Sequence, residues 1–164
     1  MALKWDPSPI GEPAHDLDIV AGTYRAADPY GEPAYLVHFD SRSPDGTINL
    51  NRDSRTGQGL GTDESMTLEL ERLSPEYARV VVGITIQQGS GRKTFGDVPN
   101  TSVRILEGYT ELVTSDFTGV SGATSATVAV FARDESGEWG IQSAIRGFDA
   151  EPEDFGRLMG KDYS

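Results

Sequence analysis

Near its middle the chain carries the run Val80-Val81-Val82-Gly83-Ile84-Thr85-Ile86. Almost every position is apolar, and most of the residues are β-branched, which favours the extended backbone of a strand. A strand with one face in water alternates apolar and polar residues, whereas this run is apolar toward both sides. We therefore predict a central strand that is covered on both faces, as in the middle of a sandwich of two sheets.

Other segments alternate with a period of two, the period of a half-buried strand. Residues 127–132 and 139–145 alternate in this way, and the turn sequence Asp134-Glu135-Ser136-Gly137 between them predicts a hairpin. Weaker strand signals lie near residues 19–25, 35–39, 66–70, 103–106 and 109–113. This number of strands predicts an all-β sandwich of two antiparallel sheets.

Helical signals are limited to two short segments. Ser74-Pro75-Glu76-Tyr77 begins like a capped helical turn, with a hydroxyl before a proline. Residues 151–159 start with acidic side chains and place apolar ones at helical spacing, which predicts a short amphipathic helix that caps the sandwich. The absence of a repeat or a proline-rich linker favours a single domain over residues 1–164.

Composition excludes several classes of function. The chain contains no cysteine, so disulfides, thiolate metal sites and cysteine nucleophiles are excluded. A net charge of -12 repels the phosphates of nucleic acid and attracts cations. The first twenty residues carry five charged side chains and no apolar core, so we expect neither a signal peptide nor direct membrane insertion. We therefore expect a cytoplasmic protein.

Nothing in the sequence indicates catalysis. The motif G-x-S-x-G of serine hydrolases is absent. Of the two histidines, His15 and His38, the second alternates with apolar Val37 and Phe39, which favours a surface-facing strand residue over a ligand or a base. A pair among the 26 acidic residues would be the remaining route to hydrolysis, but no pattern points to one. We therefore predict that the protein is not an enzyme, and an enzyme of unassigned type remains the least favoured alternative.

The segment from Asp53 to Glu64, D-S-R-T-G-Q-G-L-G-T-D-E, combines acids at both ends with three glycines spaced two apart. Glycine permits the turns that aim carbonyl oxygens at one point, and carboxylates supply charged oxygen, which is what calcium prefers. An EF-hand is excluded because Arg55 and Gln58 occupy a ligand position and the glycine position. The alternatives are a calcium loop and a flexible loop with solvated acids.

Several separated segments together resemble the TerD family of bacterial tellurium-resistance and stress-response proteins. The glycine loop resembles the family's D-N-x-T-G-x-G-x-G-D-D-E, and the other matching segments follow the family's order along most of the chain. They are Leu3-Lys4-Trp5-Asp6, His15-Asp16-Leu17-Asp18, Phe39-Asp40, Ser43-Pro44-Asp45-Gly46, Arg92, Phe95-Gly96, Val98, Asn100, Val103-Arg104-Ile105, and Gly137-Glu138-Trp139 followed by Gly147-Phe148.

The resemblance implies a β-sandwich whose loops bind calcium, acting with other stress-response proteins in a cytoplasmic complex. The metal-site residues that it implies here are Asp16, Asp18, Asp53, Thr56, Gly57, Asp63 and Glu64. Because side chains two apart on a strand point to one face, we expect Asp16 and Asp18 to complete the shell opened by the loop.

The sequence departs from the family within the loop. Gln58, Leu60 and Thr62 replace three of the family's carboxylates, and Ser54 replaces its asparagine. Affinity in oxygen sites follows the number of charged ligands, so we expect one calcium ion with a Kd of about 10⁻⁴ M or weaker, or none. The alternative is a relative that has lost calcium and uses the loop as a protein-interaction surface.

The second departure lies at the N-terminus. The family's opening strands precede its L-G-W-D motif, whereas only Met1 and Ala2 precede Leu3 here. The region 7–13, with three prolines, is not suited to replace them. We therefore expect an exposed sheet edge, open to a homodimer or another partner.

Overall fold

The computed structural model describes residues 1–52, 57, 62–89 and 91–161. Two five-stranded antiparallel sheets face each other, and the predicted all-β sandwich is confirmed. The strands are β1 (Ala2–Lys4), β2 (Leu17–Arg25), β3 (Tyr35–Val37), β4 (Ile48–Arg52), β5 (Glu64–Leu68), β6 (Tyr77–Ile86), β7 (Ser102–Glu107), β8 (Thr110–Ser115), β9 (Ser125–Arg133) and β10 (Trp139–Phe148). One α-helix, α1 (Pro152–Leu158), and three short 3-10 helices complete the described elements.

Strand β6 occupies the centre of one sheet, whose order is β10-β9-β6-β2-β3. Val80, Val82, Ile84 and Ile86 point into the core between the sheets. Val81 faces the other way, where it packs beneath α1. Both faces of this strand are therefore covered, as its continuous apolar sequence predicts, and the β9–β10 hairpin beside it is also confirmed.

Helix α1 lies on the outer face of this sheet. Phe155 and Met159 pack against Val20, Tyr24 and Val81, which form a second apolar cluster outside the main core. The predicted amphipathic helix is thus confirmed. No helix in the described part of the chain is long and apolar enough to cross a membrane.

The predicted helical turn at Ser74-Pro75-Glu76-Tyr77 is wrong. A 3-10 helix spans Leu70–Arg72 instead. The segment after it is a turn, closed by the Tyr77 N–H donating to the Ser74 carbonyl at 3.0 Å, and it leads directly into β6. The Ser74-Pro75 pair favours the start of a helix, but the β-branched residues that follow Tyr77 favour an extended strand. The strand forms, so the turn does not continue as a helix past Tyr77.

The N-terminal segment forms the middle strand of the second sheet, whose order is β4-β5-β1-β7-β8. Strand β1 pairs with β5 through Leu3 and Glu64, and with β7 through Leu3 and Val103. The exposed edge expected from the absence of the family's opening strands therefore does not lie at β1, which has a strand on each side. The edges of the two sheets are β4, β8, β3 and β10.

Candidate metal site

Trp5, directly after β1, organises the end of the sandwich where the glycine loop enters β5. Its side chain is completely buried. The Trp5 backbone N–H donates to Oδ2 of Asp63 at 2.9 Å, and its indole Nε1–H donates to the His15 carbonyl at 2.9 Å. One tryptophan therefore connects the end of the loop to the segment that precedes β2.

The loop itself touches this tryptophan through Gly57, which is buried and has a φ of +75°. A Cβ placed on Gly57 would lie 2.4 Å from the Trp5 Nε1. The backbone conformation and the close approach both require glycine at this position. The sequence predicts Gly57 as a loop residue, but no sequence pattern indicates its contact with Trp5.

Glu64 connects the two sheets through its side chain. It is completely buried, and its Oε1 accepts the backbone N–H of Ile19 at 2.9 Å. Ile19 pairs with β6 on one side, but β3 reaches only Ala21 to Thr23 on the other, so this carboxylate satisfies a β2 donor on the side that β3 leaves open. Asp63 and Glu64 therefore both accept a backbone N–H group of a neighbouring segment.

Asp16 and Asp18 both accept hydrogen bonds from Gln87. Asp18 is 2% exposed, and its Oδ2 accepts the Gln87 side-chain N–H at 2.6 Å, while the Gln87 backbone N–H donates to the Asp16 carbonyl at 2.8 Å. Asp18 lines a cavity of about 230 Å³ that reaches Glu153 of α1. Asp16 instead lines a groove of about 680 Å³ that also contains Lys93.

His38 also lines the cavity beside Asp18. Burial lowers the pKa of the His38 imidazole, and the charge of Asp40 opposes this shift. The Asp40 backbone N–H donates to His38 Nδ1 at 3.2 Å, a contact that requires this nitrogen to be unprotonated. Near neutral pH His38 is therefore a neutral neighbour of Asp18.

The donor chemistry of these residues fits calcium, because carboxylate oxygens are its preferred ligands. Asp53 and Thr56 lie outside the described residues. Within the described ranges, no three acidic or histidine side chains are arranged so that they would hold a metal ion by themselves. Asp16, Asp18, Asp63 and Glu64 therefore do not form a shell by themselves, and a calcium site that used any of them would need further oxygens from the remainder of the loop.

Replacing Gly57 by alanine is expected to destabilise the fold by about 2 kcal/mol, because alanine is strained at positive φ and its Cβ would overlap the Trp5 indole. Gly46→Ala is the matched control, since Gly46 has a φ of +72° and open space around it. Urea unfolding of both variants measures the difference. Equal losses in the two variants would show that the Trp5 contact is unimportant.

Comparison with known proteins matches this fold and site. A family model described as TerD domain matches residues 1–155. The chain is 26% identical over 154 residues to tellurium resistance protein TerD of Serratia marcescens, covering 90% of this chain and 79% of that protein. It is 25% identical, with the same coverage, to general stress protein 16U of Bacillus subtilis (strain 168).

A solved structure is much more similar in sequence. It is a homologue of telluride resistance protein TerD from Streptomyces coelicolor A3(2), which is 58% identical to this chain and has a TM-score of 0.96. The likeness covers 98% of this chain and 95% of that chain. A protein of unknown function with 60% identity and a TM-score of 0.97 also matches over 98% of this chain and 95% of that one.

Fold and site together define an all-β sandwich in which Gly57, within an acid-flanked glycine segment, packs against a buried tryptophan. The family match extends over nearly the whole of this sandwich, and the chain belongs to the TerD family. The resemblance predicted from the sequence motifs is therefore confirmed. Its relatives carry the names of tellurium-resistance and general stress proteins.

Proposed function

We propose that the protein is a noncatalytic stress-response module that binds one calcium ion weakly and acts through contacts with other proteins. The ligands would come from Asp16, Asp18, Asp63 and Glu64 together with Asp53, Thr56 and Gly57. Calcium would reduce the repulsion among the carboxylates, order the loop and change the surface offered to partners in the cytoplasm.

The burial of three of these carboxylates supports the proposal. Asp18, Asp63 and Glu64 are 2%, 1% and 0% exposed. Removing a carboxylate from water costs several kcal/mol unless charge or hydrogen bonds compensate, and neighbouring carboxylates also repel each other. Each of the three acids accepts an N–H group, and a divalent cation would compensate the negative charge that remains.

A metal-free relative is the second candidate, and the hydrogen bonds of Asp63 and Glu64 favour it. Each carboxylate accepts a backbone N–H group, from Trp5 for Asp63 and from Ile19 for Glu64. These contacts give both acids a structural role that needs no cation. In that case the loop, with Leu60 in place of a carboxylate, would serve as a protein-interaction surface.

Thermal unfolding separates the two candidates. Calcium at about 10 mM, roughly 100 times the expected Kd, should add about 2.7 kcal/mol and raise the midpoint by about 5 °C or more relative to chelator. Asp53→Asn should remove this shift. Glu135→Gln is the control with the same change of charge, on an exposed residue of the β9–β10 turn, and it should keep the shift.

The size of the shift decides between the candidates. A midpoint that is the same in calcium and in chelator would contradict the calcium site and leave the metal-free module. An equal shift with magnesium would instead indicate general screening of the net charge of -12. Capture of partners from a native extract, with and without calcium, tests the protein-contact part independently.

A further inference from the structure

A groove of about 840 Å³ crosses the end of the sandwich opposite the glycine loop. It is bounded by the turn after β5, the β7–β8 hairpin and the β9–β10 hairpin. Glu64 begins β5 and Leu68 ends it, so the groove lies roughly 13 Å from the candidate metal site at about 3.3 Å per residue. The groove therefore presents a separate surface.

Acidic side chains dominate the groove. Glu69 forms an ion pair with Arg72, so these two charges offset each other. Glu71, Glu107 and Glu138 also line it, and none of these three has a basic partner among the described residues. The groove thus holds three unpaired carboxylates against one further guanidinium, that of Arg133, and its net charge is negative.

The second basic side chain of the groove, Arg133, makes its contacts within the protein. Arg133 donates from its guanidinium to the Leu73 carbonyl at 3.1 Å, and the same group lies 4.7 Å above the Trp139 ring. This contact fixes the indole as one wall of the groove. Because the guanidinium already covers a face of the ring, the preference of the groove for a cationic ligand comes from its unpaired carboxylates and not from the indole.

Exposed apolar side chains also lie on the β7–β8 hairpin, which bounds the groove. Tyr109, in the turn of the hairpin, is fully exposed, and Leu106 and Leu112 are 40% and 36% exposed. Leu106 directly precedes Glu107, one of the groove acids, at the end of β7, so the two side chains lie close along the chain but on different faces of the strand. Apolar side chains gathered in this way beside a groove are typical of a protein-binding surface.

We propose that this groove binds an extended basic segment of a partner protein. Lysine or arginine side chains of the partner would lie beside Glu71, Glu107 and Glu138, and an apolar side chain would pack on Tyr109 and Leu106. Charge complementarity selects this occupant over a second copy, because two chains of net charge -12 repel each other. The inference rests on the proposed action through protein contacts, but it does not depend on calcium.

A labelled peptide of alternating lysine and valine is the probe, and fluorescence anisotropy measures its affinity. The triple variant Glu71→Gln/Glu107→Gln/Glu138→Gln should weaken binding by about tenfold, and Tyr109→Ser by about fivefold. The matched control, Glu12→Gln/Glu151→Gln/Glu153→Gln, has the same net charge and changes exposed acids elsewhere. It should change the affinity by less than about twofold.

Equal weakening by the two triple variants would overturn the proposal, since it would show attraction to net charge alone. Equal binding of a peptide with glutamate in place of lysine would also overturn it. A dimer in sedimentation velocity that Tyr109→Ser dissociates would assign the exposed apolar side chains of the hairpin to a second copy instead. Partners from a native extract that bind the groove variant as well as the wild type would refute the groove while leaving the proposed module intact.

Discussion

Trp5→Ala is expected to lower the free energy of unfolding by about 4 kcal/mol. The side chain is completely buried and fills the space between the start of β5 and the segment before β2. Alanine would leave a cavity and would also remove the indole N–H that the His15 carbonyl accepts. Because Gly57 packs against the same ring, the loss extends to the glycine loop.

Urea unfolding followed by circular dichroism measures the loss for Trp5→Ala. Trp139→Ala is the control, because Trp139 is only partly buried and lies at the opposite end of the sandwich. Trp5→Phe keeps most of the ring but loses the hydrogen bond, so it should cost about 1–3 kcal/mol. If Trp5→Ala were no more destabilising than Trp139→Ala, the central position assigned to Trp5 would be wrong.

Strands with a strong local pattern could be predicted from the sequence. Strand β6 follows from its continuous apolar residues, and the β9–β10 hairpin follows from alternation on both sides of a turn. Strand β1 has only the residues Ala2–Lys4, too few to establish a period. Its place at the centre of a sheet depends on β5 and β7, which are distant in the sequence, so local patterns do not reveal it.

The candidate site was also only partly predictable, because its acidic side chains are visible in the sequence and their backbone partners are not. The acids Asp63 and Glu64 could be selected from the sequence because carboxylates suit cations. Their hydrogen-bond donors are the backbone N–H groups of Trp5 and Ile19, and every residue except proline has such a group. No sequence pattern identifies which of these donors a fold leaves unpaired, so the structural role of both acids emerges only from the geometry.

Gly83→Val is the second change with a large expected effect, a loss of about 3 kcal/mol. A Cβ at Gly83 would lie 2.7 Å from the Ala126 backbone carbonyl oxygen and 2.7 Å from Cζ of Phe155. The first atom belongs to the neighbouring strand β9. The second belongs to Phe155, the buried side chain through which α1 packs on the sheet. The pairing of β6 with β9 also shifts register between Val82 and Gly83. A glycine in a strand often marks such an irregularity, where another backbone segment approaches closely.

Valine favours strands, so its intrinsic preference alone predicts a gain in stability rather than a loss. Gly140→Val provides the control for this preference, because Gly140 lies in the edge strand β10 and has open space where a Cβ would be. We expect Gly140→Val to change stability by less than about 0.5 kcal/mol in either direction. Urea unfolding compares the two variants, and hydrogen exchange of α1 amides locates the damage. A stable Gly83→Val variant with protected α1 amides would show that the helix is not held by this contact, whereas lost protection confined to α1 would show that it is.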